Sequence, residues 1–339
     1  MVAKDLPLIE PASAWNHPCF DPHSTRGHYE SFFLRANHPS RPLAFWIRYT
    51  IFSPKGQPEG ALGQLWAIFF GGETGRIVAV KEGWPISECS FQPGAFAVRI
   101  GGSRLDSCSL TGHASSAGHS IHWSLDYGGN QPPLLLLTPE SYTRGFSSAK
   151  AVVSLPLATY TGALTIDGEN QPVDGWVGSQ NHNWGRRHTD QYAWGQVAGF
   201  DDAPEAFLEC ITARLKLGPL WTPRLTSLVL RLGDRQYSLN SIPQALRAHG
   251  RYEYFTWTFD SSTPEVRISG KIEASRDQFV GLKYENPPGG AKICLNTKIA
   301  SCQARVELPG KSPIEMSARW RAAFEILTED DQHGVPVVA

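Results

Sequence analysis

Between Gly175 and Gln196 the chain places three Trp, two His, three Gln, two Asn and a Tyr among glycines: Gly175-Trp-Val-Gly-Ser-Gln-Asn-His-Asn-Trp-Gly-Arg-Arg-His-Thr-Asp-Gln-Tyr-Ala-Trp-Gly-Gln196. Indole, imidazole and amide groups are costly to bury without hydrogen-bond partners. Their concentration implies either a polar plug closing a barrel end, with Trp184 as a packing anchor, or a solvated site. On a strand from Tyr192 to Phe200, the period of two puts Tyr192, Trp194, Gln196, Ala198 and Phe200 on one face. The other face, Ala193, Gly195, Val197 and Gly199, is small enough for a close-packed neighbour. The aromatic and amide face is expected to look into a cavity. There, indole faces could stabilise a cation, and His182 or Gln196 could position water or a hydroxyl.

These side chains need strands to hold them, and strands are what alternation supplies. Ala44–Phe52 ends at Ser-Pro-Lys-Gly, Leu65–Phe70 at Gly71-Gly72, and Ile121–Tyr127 at Gly128-Gly129. In the second half, Tyr192–Phe200, Phe207–Leu217, Leu225–Leu232, Tyr252–Phe259, Val266–Ile272 and Ala318–Leu327 read the same way. Helical periodicity is scarce; Ser241–His249, with Ser at the cap and Pro243 in the first turn, is the best short helix. Strand after strand with almost no crossover helix means antiparallel sheets curled into barrels or sandwiches. The polar stretch Asp167–Pro172 reads as the seam between two such units, residues 15–172 and 173–332.

Composition narrows the partners. The 339 residues carry 31 basic and 32 acidic side chains, a formal net charge of −1. That balance argues against a nucleic-acid or anionic-membrane binder. With 41% hydrophobic and 19% charged residues a sizeable core is expected, and 32 glycines with 25 prolines suit short strands and turns. The N-terminal stretch Met1–Pro11 lacks the apolar core of a secretory signal. The longest aliphatic run, Leu134–Leu137, is far below the roughly 20 residues of a spanning helix. Six scattered cysteines without a Cys-x-x-Cys pair read as free thiols. A soluble, cytoplasmic protein is expected, of undetermined oligomeric state.

Gln180-Asn181-His182-Asn183-Trp184-Gly185, followed by Tyr192-Ala193-Trp194-Gly195-Gln196, resembles the signature of the lipocalin-like hydratase and cyclase superfamily. That superfamily includes carotenoid 1,2-hydratases (hydroxyneurosporene synthases), tocopherol cyclases, AttH-type proteins and fungal Diels–Alderases. The similarity spans most of the chain, including Tyr284–Lys298. It implies an all-β fold of two lipocalin-like (calycin) antiparallel barrels packed side by side, with few short helices. It also implies a hydrophobic ligand pocket inside or between them, and no cofactor. The hydratase branch carries a His-x-Trp pair and a Tyr-x-Asp pair on a following strand. His182 and Trp184 match the first pair, and the second falls on Phe207 and Glu209. Phe207 lacks the hydroxyl, Glu209 keeps the carboxyl on a longer arm, and Asn181 stands where many relatives carry Asp.

Hydrating or cyclising an unactivated alkene needs a strong, positioned acid. Glu209 sits in Phe207-Leu208-Glu209-Cys210-Ile211, flanked on its own face by Phe207 and Ile211, and such burial favours the protonated acid. The expected catalytic set is Glu209, His182 and Trp184. Asn181, Asn183, Tyr192, Trp194, Gln196 and Phe207 are expected to line a site for a hydrophobic isoprenoid or polyene. Alternatives remain open: Glu209 as a structural partner of Arg186, Arg187 or Arg214; a non-catalytic carrier; or a pericyclase, which needs only shape and polar contacts. His17, His23 and His28 have no carboxylate–histidine spacing of a metal site, and none is expected. No Gly-x-Ser-x-Gly elbow or phosphate loop is present, and Gly71–Gly75 reads as a turn.

Overall fold

The computed structural model describes residues 14–92, 94–143 and 149–339; the N-terminal stretch read for a leader lies outside them. The first half supplies β1 (His28–Asn37), β2 (Leu43–Ser53), β3 (Leu62–Gly71), β4 (Arg76–Pro85), β5 (Cys89–Phe91) and β6 (Ala97–Ile100). It continues with β7 (Ser103–Asp106), β8 (Ser109–Ser116), β9 (His119–Gly128), β10 (Leu134–Leu135), α1 (Pro139–Thr143), β11 (Ala149–Ile166) and β12 (Glu169–Gly185). These strands form one antiparallel sheet in the order β4-β3-β2-β1-β12-β11-β9-β8-β7-β6-β5, with β10 on β11. The sheet curls until β4 meets β8. There the Lys81 amide donates to Ser116 Oγ at 3.1 Å and the Ser115 amide to the Glu82 carboxylate at 3.0 Å.

The second half supplies β13 (Gln191–Ala198), β14 (Phe207–Arg214), β15 (Lys216–Leu217), β16 (Leu220–Trp221), β17 (Leu225–Leu232), β18 (Arg235–Leu239) and α2 (Ile242–Arg247). After them come β19 (His249–Glu253), β20 (Thr256–Ser262), β21 (Arg267–Glu273), β22 (Val280–Glu285), β23 (Ala291–Glu307) and β24 (Ile314–Thr328). Their sheet runs β18-β17-β14-β13-β24-β23-β21-β20-β19, with β22 on β23. Its curl brings β19 back to β14 and β17. A Cβ on Gly250 would lie 2.0 Å from Thr212 Oγ1 and 2.2 Å from Thr226 Oγ1, so only glycine lets these strands approach.

Each barrel has its own apolar interior. Phe32, Phe45, Tyr49, Trp123, Tyr160 and Trp176 fill the first; Val197, Phe200, Trp257, Phe259 and Phe324 fill the second. A third apolar cluster joins the barrels, with Phe33, Trp46, Trp66 and Phe70 facing Trp194, Phe207, Leu282 and Tyr284. Strands β1 to β3 are therefore buried on both faces, which is why they read as nearly continuous apolar runs.

The all-β, two-barrel architecture with two short α-helices matches the sequence expectation. Ser241 caps α2, its hydroxyl accepting from the Gln244 amide at 3.4 Å. The expected seam does not hold. Asp167 and Gly168 make the hairpin turn between β11 and β12, and the change of sheet falls between Gly185 and Gln191. A polar turn looks the same in sequence whether it ends a domain or a hairpin. The run Tyr252–Phe259 is likewise a hairpin, β19 turning into β20 at Tyr254-Phe255. The strand from Tyr192 stops at Ala198, where Gly199 turns with φ +80°. All six cysteines are free, and Cys210, Cys294 and Cys302 are buried. Among the described residues no helix is long and apolar enough to cross a membrane.

Candidate functional site

A predominantly apolar cavity of about 300 Å³ lies between the barrels. Phe33 from β1, Trp46 and Arg48 from β2, and Leu136 and Leu137 after β10 form the wall on the first barrel. Tyr192 and Trp194 from β13, Glu209 and Ile211 from β14, and Tyr284 from β22 form the opposite wall. Tyr192 and Trp194, which alternation puts on one face of β13, both border the cavity. On the reverse of β13, a Cβ on Gly195 would lie 2.4 Å from Ile272 Cδ1, so the small face is closely packed as expected.

Glu209 is 3% exposed. Its Oε1 accepts the indole N–H of Trp194 at 3.1 Å, while Oε2 has no partner among the described residues. Burial pushes its carboxyl up to about 7, against the opposing pull of the Trp194 hydrogen bond and the charge of Arg35. None of the arginines weighed as ion-pair partners reaches it. Arg187 pairs with Asp190, Arg214 Nε donates to the Thr222 carbonyl, and no bond joins Arg186 to Glu209 among the described residues. A second carboxylate, Glu325, also borders the cavity but is fully engaged. Its Oε1 accepts from Lys298 Nζ at 2.8 Å and Asn296 Nδ2 at 2.9 Å, and its Oε2 lies 3.5 Å from the Tyr192 hydroxyl. Burial holds the Tyr192 hydroxyl well above its ordinary value, so it stays a donor.

Of the remaining expected residues, Asn183 borders the cavity. Asn181 and Gln196 belong instead to a closed, buried network. Gln196 Oε1 accepts from Arg35 Nε at 2.9 Å and Ser179 Oγ at 2.6 Å, and its Nε2 donates to Asn181 Oδ1 at 2.9 Å. Asn181 Nδ2 donates in turn to Ser179 Oγ at 2.9 Å. Phe207 is fully buried in the apolar cluster that joins the barrels.

His182 and Trp184 face away from the cavity. Strand β12 has one face toward the first barrel's interior and the other toward the second barrel, so His182 and Asn183 point in opposite directions. His182 Nδ1 meets the Trp15 carbonyl at 2.6 Å and Nε2 meets the Glu30 carboxylate at 2.7 Å. Its ring stacks on Phe32 at 4.3 Å and on Trp184 at 4.5 Å between centroids. Gln180, on the same face, exchanges hydrogen bonds of 2.7 and 3.0 Å with Asn16. This half of the tryptophan-rich segment is the polar plug of a barrel end. Glu30 also accepts from the Cys19 amide and meets His28; burial, the largest single influence, acts upward, but the hydrogen bonds and charge of His182 and His28 outweigh it and hold the carboxyl down to about 2.

Sequence reasoning missed Arg48, Tyr284, His188, Glu325 and Lys298. A signal existed for Arg48: it alternates with Trp46 on β2, one cation in a strand otherwise apolar or aromatic from Ala44 to Tyr49. Tyr29 and His188 stack at 4.1 Å near it, and burial with the nearby Arg48 charge pushes His188 down to about 3. No group of three or more His, Cys, Asp or Glu side chains gathers as metal ligands among the described residues.

No protein-family model matches the chain. The uncharacterized protein Rv0493c of Mycobacterium tuberculosis is 25% identical over 213 residues, a span of 62% of this chain and 62% of that protein. An AttH-type protein (NE1406) from Nitrosomonas europaea superposes with a TM-score of 0.54 at 13% identity, covering 89% of this chain and 92% of its own. Kievitone hydratase from Nectria haematococca gives 0.53 at 12%, covering 94% and 96%. CghA gives 0.56 at 12%, covering 96% and 94%, and a further structure of it holds Sch210972. At these identities each likeness speaks for the architecture, which is the one the sequence resemblance implied.

Proposed function

We propose that this chain is an enzyme that protonates a carbon–carbon double bond of a hydrophobic isoprenoid or polyene held between its barrels, with Glu209 as the acid. The observation that carries this reading is the state of Glu209: buried, in no ion pair among the described residues, bordering an apolar cavity, and raised to about 7. Such a carboxyl keeps a proton near neutral pH and can give it up to a weak base. Because the Trp194 N–H occupies Oε1, the proton belongs on Oε2.

In the step itself, the alkene π pair takes the Oε2 proton to form a C–H bond, and a carbocation is left on the more substituted carbon. Trp46 and Trp194, the two indoles on the cavity wall, are the aromatic groups in reach to steady it. A water or a substrate hydroxyl then adds its lone pair to that carbon, and the proton it sheds returns to the Glu209 carboxylate. Water as nucleophile gives hydration; an internal hydroxyl gives ring closure. Tyr192 and Asn183, on the cavity wall, are placed to orient the nucleophile. Proton transfer from a carboxylic acid calls for no cofactor. That a protein named a hydratase shares the fold is in accord with this reading.

Mass analysis of the lipid extract that co-purifies with the chain, followed by incubation of the chain with each recovered compound, supplies the substrate. Glu209→Gln should then lose on the order of 10²–10⁴-fold in turnover while binding is kept. Unchanged turnover with loss only on reshaping Trp46 or Leu136 would point to a pericyclase. Return of the bound compound unmodified by the unaltered chain would point to a carrier.

A further inference from the structure

One cation on the cavity wall, Arg48, has no carboxylate against it among the described residues; Lys150, also on the wall, donates to the Tyr142 carbonyl at 2.7 Å. Arg48 is 6% exposed and borders the cavity, yet no hydrogen bond or ion pair engages its guanidinium among the described residues. Three aromatic rings surround it instead, with its Cζ 4.6 Å from the centroid of Tyr284, 5.8 Å from Trp66 and 5.9 Å from Trp46. Ring faces offset part of the charge but do not satisfy five directional N–H donors. Glu209 stands on the opposite wall bonded to Trp194, and the other two carboxylates in this part of the molecule are committed elsewhere. Glu325 serves Lys298 and Asn296, and Glu285 accepts from Gln64 at 3.3 Å with Lys81 at 3.9 Å. Arg35, also buried without a carboxylate, has its donors filled by Gln196, Asn37 and a backbone carbonyl, so its position is explained by structure. That of Arg48 is not. An unpaired buried guanidinium is destabilising unless something outside the chain completes it.

Resting on the reading of the cavity above, we infer that its ligand is an amphipathic organic acid whose single anionic group, a carboxylate or an enolate of similar charge, seats against Arg48. Its apolar, unsaturated body then lies toward Trp46, Leu136 and Trp194. Arg48 stands on the first barrel's wall and Glu209 on the second's, so the acid group is bound on one side while the carbon to be protonated is offered to the other. A planar carboxylate or enolate matches the fork of a guanidinium held between rings. The anion would also fix which double bond reaches Glu209.

The test uses the full chain with cis-parinaric acid, a fluorescent polyene carboxylate, and its methyl ester, which keeps the body and removes the charge. At pH 6, where the fatty acid is ionised and Glu209 keeps its proton, the unaltered chain should bind the acid at least about tenfold more tightly than the ester. Arg48→Met should bring the acid's Kd up to the ester's and leave the ester's unchanged, while Arg48→Lys should keep part of the preference. Circular dichroism and a melting curve check each variant; if Arg48→Met fails to fold, the acid–ester comparison in the unaltered chain and Arg48→Lys decide. Equal affinity for acid and ester, or a preference surviving Arg48→Met, overturns the anion site and leaves the apolar cavity standing. Failure of both compounds to bind overturns the anion site and the cavity reading together.

Discussion

Trp194 Nε1 and Glu209 Oε1 are joined by a 3.1 Å hydrogen bond across neighbouring strands of the second barrel. The register pairs Trp194 with Ile211 and Gln196 with Glu209, so the two are diagonal neighbours on one face of the sheet. The bond holds the carboxyl at the cavity wall and occupies one of its two oxygens.

The raised carboxyl of Glu209 ties stability to pH. At the ordinary value of 4.5 the unfolded chain releases this proton, whereas the folded chain keeps it until about 7. Below 4.5 both states are protonated and there is no penalty; the folded state loses stability as pH rises from 4.5 to 7, and the loss is complete above that. Relative to Glu209→Gln, the unaltered chain should lose on the order of 3 kcal/mol between pH 4 and 8. Urea unfolding of both proteins across that range measures the difference, in which shared groups such as Glu30 cancel. A difference independent of pH would mean that Glu209 is not held protonated.

Trp194→Phe keeps a ring in the wall and removes the N–H. Because that hydrogen bond favours the ionised form, its loss should raise the carboxyl further, by up to about one pH unit. The descending limb of the pH–rate profile, set by loss of the acid's proton, should move to higher pH by that amount. A limb that stays in place would separate Trp194 from the ionisation of Glu209.

His182→Ala separates the plug from the cavity. It takes away the 2.7 Å partner of a fully buried carboxylate, Glu30, and should cost about 3 kcal/mol of stability. Ligand affinity at temperatures where the variant is folded should be unchanged, since His182 faces the first barrel's interior. A large change in affinity with little loss of melting temperature would reverse that assignment.

Much of this was legible in the sequence because strands announce themselves by alternation and glycine-rich turns. Period two alone puts Tyr192 and Trp194 on one face, and apolar neighbours alone mark Glu209 as buried. The same periodicity could not say which face of β12 looks inward. His182, Trp184, Asn181 and Asn183 occur in one short motif, and a motif carries no sidedness until the sheet on each side is known. A lone arginine in a strand, such as Arg48, carries no local sign of burial. Only the second sheet, packed over β2, makes it a buried one. The seam at Asp167–Pro172 was misread because turn chemistry is local, whereas membership of a sheet is decided by pairing with β1, more than a hundred residues earlier in the chain.

Strand β12 acts as a party wall with a tenant on either side. Its alternate positions answer to different neighbours: Asn183 fronts the space between the barrels and Ser179 and Asn181 the locked polar cluster with Gln196, while Gln180, His182 and Trp184 answer only to the masonry of the first barrel. A substitution on one side of such a wall leaves the other side of the building standing as it was.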